Sequence, residues 1–140
     1  MPYFDTSVIV AYYCPEPLSA AAERFLRRRG PPAISWLTQV EFASAVARKV
    51  REGAIERGDA GRVVERFHMH IAEGAFAVHA LTAACYGTAF HWLRSLTTDL
   101  RTLDALHLAV AAEMREEVVT ADARMAAAAK VLRIRCRFVA

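Results

Sequence analysis

Four acidic residues, Asp5, Glu41, Asp104 and Asp122, stand where their local sequence gives them little to do. Asp104 falls in the first turn of a helix predicted over residues 102–116, with His107 and Leu108 at i+3 and i+4 and no Arg or Lys to pair with there. Glu41 lies on a helix predicted from residue 37 to near residue 53, and its neighbours three and four places away are Leu37, Thr38, Ser44 and Ala45. Asp5 ends a first strand, and Asp122 directly follows a later one. Each acid alone has a bland explanation. A first-turn acid complements the helix dipole for a few tenths to about 1 kcal/mol, Asp122 is well placed as an N-cap, and Glu41 can be a surface glutamate. Gathered in one place, the four would do chemistry. Their mutual repulsion, and the several kcal/mol cost of burying unpaired charge, require a cation. Oxygen-only ligands select Mg²⁺ or Mn²⁺, and Mg²⁺ keeps several waters while sharing carboxylates with a substrate phosphate. Such a centre favours phosphodiester hydrolysis, in which metal acidifies a bound water and stabilises the departing oxygen; one or two metals would serve. Thr6 and Thr120 can add hydroxyl ligands or hydrogen bonds behind the carboxylates. Asp99, in the loop before the Asp104 helix, is a candidate fifth acid, with a solvated loop residue as the default.

The elements that must position these residues follow from hydrophobic periodicity and turn residues. Strands are predicted at residues 2–5, 33–35, 75–79, 117–120 and 134–139, the last alternating as an edge strand does. Helices are predicted at residues 8–13, 18–29, 37–53, 59–73, 82–96, 102–116 and, rich in alanine, from after Asp122 to Leu132. In the 102–116 helix Thr102 reads as the N-cap and Leu103, Leu106, Val110 and Met114 as the buried stripe. Alternating strands and helices specify an α/β chain with a parallel sheet covered on both faces, whose ligands bind at the carboxyl ends of the strands. By that rule Asp5, Glu41, Asp104 and Asp122 reach one rim. Glu23, Glu65 and Glu113 sit mid-helix or at far ends and do not.

Composition narrows the partners. The 140 residues, 55% hydrophobic, suffice for a single domain spanning 1–140. Net charge is +3, but setting aside the four acids from 15 leaves 11 acidic against 18 basic residues, a body that attracts an anionic polymer. All the basic residues but Lys49 and Lys130 are arginine, which suits phosphate recognition. The arginines of residues 27–29, before Gly30, read as an ordinary basic helix end. Cys14, Cys85 and Cys136 are odd in number and set among apolar residues, which indicates reduced thiols in a cytosol. No signal peptide opens the chain. Residues 74–93 carry no formal charge, but their histidines, threonines and glycines split the run into a strand and a helix, and no membrane is expected. His68 and His70 point about 200° apart on a helix and form no metal pair. His79, His91 and His107 read as core or surface histidines.

YFDTS at residues 3–7, the isolated Glu41, LRTLDALHLA at residues 100–109 and VVTADARM at residues 118–125 together resemble the PIN-domain nucleases, specifically the VapC type of toxin. The resemblance covers the chain in order. It implies a five-stranded parallel sheet flanked by helices on both faces, a three-layer α/β/α arrangement, and a Mg²⁺- or Mn²⁺-dependent endoribonuclease. It also implies a homodimer restrained by a cognate antitoxin. Asp5, Glu41, Asp104 and Asp122 match its acidic cluster, and Thr6 and Thr120 its hydroxyl positions. A PIN nuclease of RNA processing outside any toxin pair, and a non-catalytic module retaining the fold, are the alternatives. A phosphatase of the haloacid dehalogenase type is disfavoured, since Ser7 stands two residues after Asp5 where such enzymes use a second aspartate.

Overall fold

The strands are two or three residues long, and adjacent side chains in each go to opposite faces, so the alternation of a few residues sets the layering. In the computed structural model, which describes residues 1–27 and 30–140, the strands are β1 (Tyr3–Phe4), β2 (Ala33–Ser35), β3 (Ala77–His79), β4 (Val118–Thr120) and β5 (Cys136–Phe138). They form one parallel sheet in the order β3-β2-β1-β4-β5. Tyr3, Ala33 and Val118 enter one core, while Phe4, Ile34 and Val119 enter the other. Helices α1 (Thr6–Tyr13), α2 (Ser19–Leu26), α3 (Trp36–Arg51) and α4 (Arg57–Ala72) cover the Phe4 face. Helices α5 (Ala83–Leu93), α6 (Thr102–Met114) and α7 (Ala123–Val131) cover the Tyr3 face. This is the expected three-layer α/β/α architecture, with β5 at an edge.

From β1 the chain winds outward through β2 to β3, then crosses to β4 and β5 on the other side. The order therefore reverses between β1 and β4, the place where an open parallel sheet leaves a crevice at its carboxyl ends. Local capping sharpens that rim. Asp5 caps α1 by accepting from the Val8 N–H at 3.4 Å, and Asp122 caps α7 by accepting from the Arg124 N–H at 2.8 Å. Ser35 precedes α3, and its N–H donates to Thr38 Oγ1 at 3.2 Å.

Three expectations are corrected. The first helix begins at Thr6, not at residue 8, because Asp5 itself is the cap. Arg101, in extended conformation, takes the N-cap position of α6, and Thr102 is already helical. Leu103 does not belong to a buried stripe: it is 44% exposed, whereas residues 105–111 are buried on every side because α6 is sandwiched between α5 and the sheet. Arg28 and Arg29, the end of the predicted second helix, lie outside the described residues. The uncharged run at residues 74–93 divides into β3 and α5, and no helix among the described residues is long and apolar enough to cross a membrane. The three cysteines are free, Cys14 and Cys85 buried and Cys136 half-buried.

The Phe4-side core is anchored by Phe42, fully buried, whose ring centroid lies 4.3 Å from Phe67 and 5.6 Å from Tyr13. Phe42→Ala is expected to lower unfolding free energy by about 3–5 kcal/mol. Val40→Ala, at a position 70% exposed on the same helix, is expected to change it by less than about 0.5 kcal/mol. Urea unfolding of the two variants checks both.

Candidate active site and metal centre

Asp5 is the most buried of the four acids, 3% exposed at the end of β1. Its oxygens are fixed from both sides of the crevice. Ser7 Oγ donates to Oδ1 at 2.6 Å, and Thr120 Oγ1, at the end of β4, donates to Oδ2 at 2.7 Å. Ser7 Oγ in turn accepts from the Ala121 N–H at 2.9 Å, and Thr120 Oγ1 from the Asp122 N–H at 3.0 Å. The two hydroxyls thereby lock the β1 and β4 ends together around one carboxylate. Burial pushes the Asp5 carboxyl above its ordinary range despite these hydrogen bonds and the nearby His107.

Glu41 reaches the same end from the second turn of α3. Thr6 Oγ1 donates to its Oε1 at 2.8 Å, and His107 Nε2 bonds the same oxygen. His107 is 2% exposed, and its Nδ1 lies 2.6 Å from the Tyr3 hydroxyl, which lies 2.8 Å from Ser35 Oγ. Burial outweighs the hydrogen bonds from Ser35 and Thr38 and pushes the Tyr3 phenol well above its ordinary range, so it keeps its proton. Ser35, Tyr3, His107 and Glu41 thus form one continuous hydrogen-bonded chain. Burial raises Glu41, but the hydrogen bond and charge of His107, with the Thr6 hydroxyl, outweigh it and hold the carboxyl below its usual range.

Asp104, half-buried in the first turn of α6, behaves oppositely. Burial, then repulsion from Asp122, with Glu41 adding to it, overcome His107 and Arg101 and raise its carboxyl. Asp104 therefore feels both Asp122 and Glu41. Asp5, Thr6, Glu41, Asp104, Thr120 and Asp122 all lie at this end of the sheet. Asp99 does not join them: it is exposed and lines a separate cleft with Trp92 and Arg124.

The sequence reading missed Tyr3, Ser7 and Ser35 and left His107 as a core or surface residue. Two signals bear on this. Tyr3 shares a strand face with Asp5, and a buried imidazole in the apolar run of α6 must find polar partners.

Among the described residues, no three His, Cys, Asp or Glu side chains converge as a ready-made metal cradle. Asp5, Glu41 and Asp122 instead hold hydrogen bonds within the chain. The donor chemistry nevertheless fits a hard divalent cation. All donors are oxygen, and Asp104 is destabilised as an anion by two neighbouring carboxylates.

A model of the PIN domain family matches residues 3–131. Ribonuclease VapC46 of Mycobacterium tuberculosis is 34% identical over 139 residues, covering 93% of this chain and 91% of its own. The crystal structure of Mycobacterium tuberculosis VapC20, described as a sarcin-ricin loop cleaving toxin, superposes with a TM-score of 0.72 at 19% identity, covering 91% and 95% of the two chains. A toxin–antitoxin complex from Klebsiella pneumoniae superposes with a TM-score of 0.65 at 19% identity, covering 87% of each chain. These two structures bear on fold.

Because its folded pKa is raised, Asp104 binds its proton more tightly folded than unfolded. The stability this gives is present below the unfolded carboxyl pKa and is lost as pH climbs through the folded value. In chelator, Asp104→Asn is therefore expected to be more stable than the parent at neutral pH. The gap should close as pH falls below about 4, where a free aspartate is protonated. Urea melts across pH test this, and a gap that widens in acid contradicts it.

Proposed function

Because the chain belongs to the PIN-domain family, we propose that it is a divalent-cation-dependent endoribonuclease acting as the toxin of a toxin–antitoxin pair. The observation that supports this reading is the placement of the acid set: Asp5, Glu41, Asp104 and Asp122 come from the end of β1, the second turn of α3, the first turn of α6 and the cap of α7, the elements that border the carboxyl ends of the strands where the sheet order reverses. The 34% identity to a ribonuclease over most of both chains supports the substrate class. The toxin–antitoxin superposition supports a protein partner that restrains activity.

In this reading the four carboxylates hold Mg²⁺ or Mn²⁺. A cation bound there supplies Lewis acidity toward a phosphodiester and neutralises the repulsion among its ligands. The residues of this chain do the positioning. Ser7 and Thr120 fix the Asp5 carboxylate, and Thr6 and His107 fix Glu41, so that two acids from distant elements present oxygen at set angles. Tyr3 holds the imidazole from behind, with Nε2 against Glu41. Repulsion from Asp122 and Glu41 helps raise the Asp104 carboxyl, and a cation beside it would relieve that repulsion. The homodimer belongs to the same reading. Trp36 and Val40 on α3, and Tyr86 and Phe90 on α5, are exposed in pairs one turn apart, and each pair offers apolar surface for self-association. A cytosolic setting agrees with the three free thiols.

Purified protein is expected to cut RNA with Mg²⁺ or Mn²⁺ and to stop in chelator. Asp5→Asn and Asp104→Asn should each lower cleavage by about a hundredfold or more while leaving the protein folded. Thr120→Val should cost about 10–100-fold, because it frees a carboxylate rather than removing one. Gel assays of RNA cleavage with circular dichroism check these outcomes. Cleavage that persists in both Asn variants defeats the assignment. Growth arrest on induced expression, relieved by a co-expressed antitoxin, tests the toxin role.

A further inference from the structure

A groove of about 440 Å³ opens beside Glu41 and runs along α3. Glu41, Ser44, Arg48 and Arg51 line it, and their spacing of three and four places puts them on one face of the helix. Thr6, Ser7 and Leu103 line its other parts, so the groove is continuous with the acidic site. At 1.5 Å per residue, Arg48 stands about 10 Å and Arg51 about 15 Å along the axis from Glu41. The groove is thus acidic at one end and basic at the other.

The charges are not already spent. Lys49, at the groove edge, pairs with Glu16 at 3.6 Å. Arg48 has only an exposed partner, Glu52, at 3.9 Å, a class of pair worth about 0–1 kcal/mol. Arg51 forms no ion pair among the described residues. Basic residues in the last turn of a helix complement its dipole, but the dipole is indifferent to the face they occupy. These two guanidiniums occupy the face of Glu41.

We propose that this face of α3 is the backbone track for single-stranded RNA, with Arg48 and Arg51 holding phosphates that flank the one at the carboxylates. The inference rests on the ribonuclease reading and adds the direction in which the strand leaves the site. Planar guanidiniums on a rigid helix fix register without reading bases. Leu103, 44% exposed, supplies apolar surface against which an unstacked base can lie.

The test measures binding of a fluorescent, mixed-sequence single-stranded RNA to the Asp104→Asn protein across a salt series. It then compares Arg48→Gln/Arg51→Gln with a charge-matched control, Arg115→Gln/Arg133→Gln, at the amino ends of β4 and β5 on the opposite rim. The groove pair is expected to weaken binding roughly tenfold at low salt. It should flatten the slope of log K against log salt by about 1.4, at about 0.7 per phosphate contact. With Asp104 restored, KM should rise while kcat stays within about twofold. Unchanged affinity and slope in a protein that still cuts RNA overturns the track, as does an equal loss in the control pair. A parent that neither binds nor cuts RNA would instead overturn the ribonuclease reading, a result that no arginine variant produces.

Discussion

A carboxylate buried to 3% exposure between two strands constrains everything around it. Asp5 needs donors on both oxygens, and it finds them in Ser7 on its own strand–helix turn and Thr120 at the end of β4. That pairing holds only if β1 and β4 are parallel neighbours in the register Tyr3 to Val118 and Phe4 to Val119. A slip of one residue would send Thr120 to the other face and leave Asp5 Oδ2 without its donor. The polar centre and the apolar layers therefore specify the same register: the slip that strips Oδ2 also moves Val118 and Val119 into the wrong cores.

A second set of bonds ties the outer helices to that centre. The chain from Ser35 through Tyr3 and His107 to Glu41 links β2, β1, α6 and α3 within hydrogen-bonding distance. It crosses the sheet, since Tyr3 and α6 belong to one core while Phe42, next to Glu41, belongs to the other. Glu41 is thus positioned from the far layer. This explains how a glutamate with no cation on its own helix can hold a carboxyl below the usual range.

The architecture was readable because it depends on alternation: strand, helix, strand, with each short strand sending neighbours to opposite cores. That Asp5, Glu41, Asp104 and Asp122 belong to elements bordering the carboxyl ends of the strands was readable for the same reason, since the rule that ligands gather there needs only element order. Element order carries no distance, and among the described residues no three such side chains form a ready-made metal cradle. Asp122 as a cap was readable from its type and place. His107 was not, because its partners come from residues 3, 6 and 41, and a helix pattern carries no record of them. The Leu103 expectation failed where the stripe argument fails in general. A helix covered on all sides has no polar face to define the apolar one, so the periodicity within α6 said little about which side met the core.

The hydrogen bond between Asp5 and Thr120 closes a separation of 115 residues in the chain. While the polypeptide is still emerging from the ribosome, its first acid is exposed long before the hydroxyl that completes its setting has been synthesised. The centre cannot assemble on a nascent fragment, because β4 and Asp122 come late and β1 has no other partner for that edge. A growing chain therefore lacks this setting for Asp5 until β4 has joined the sheet beside β1.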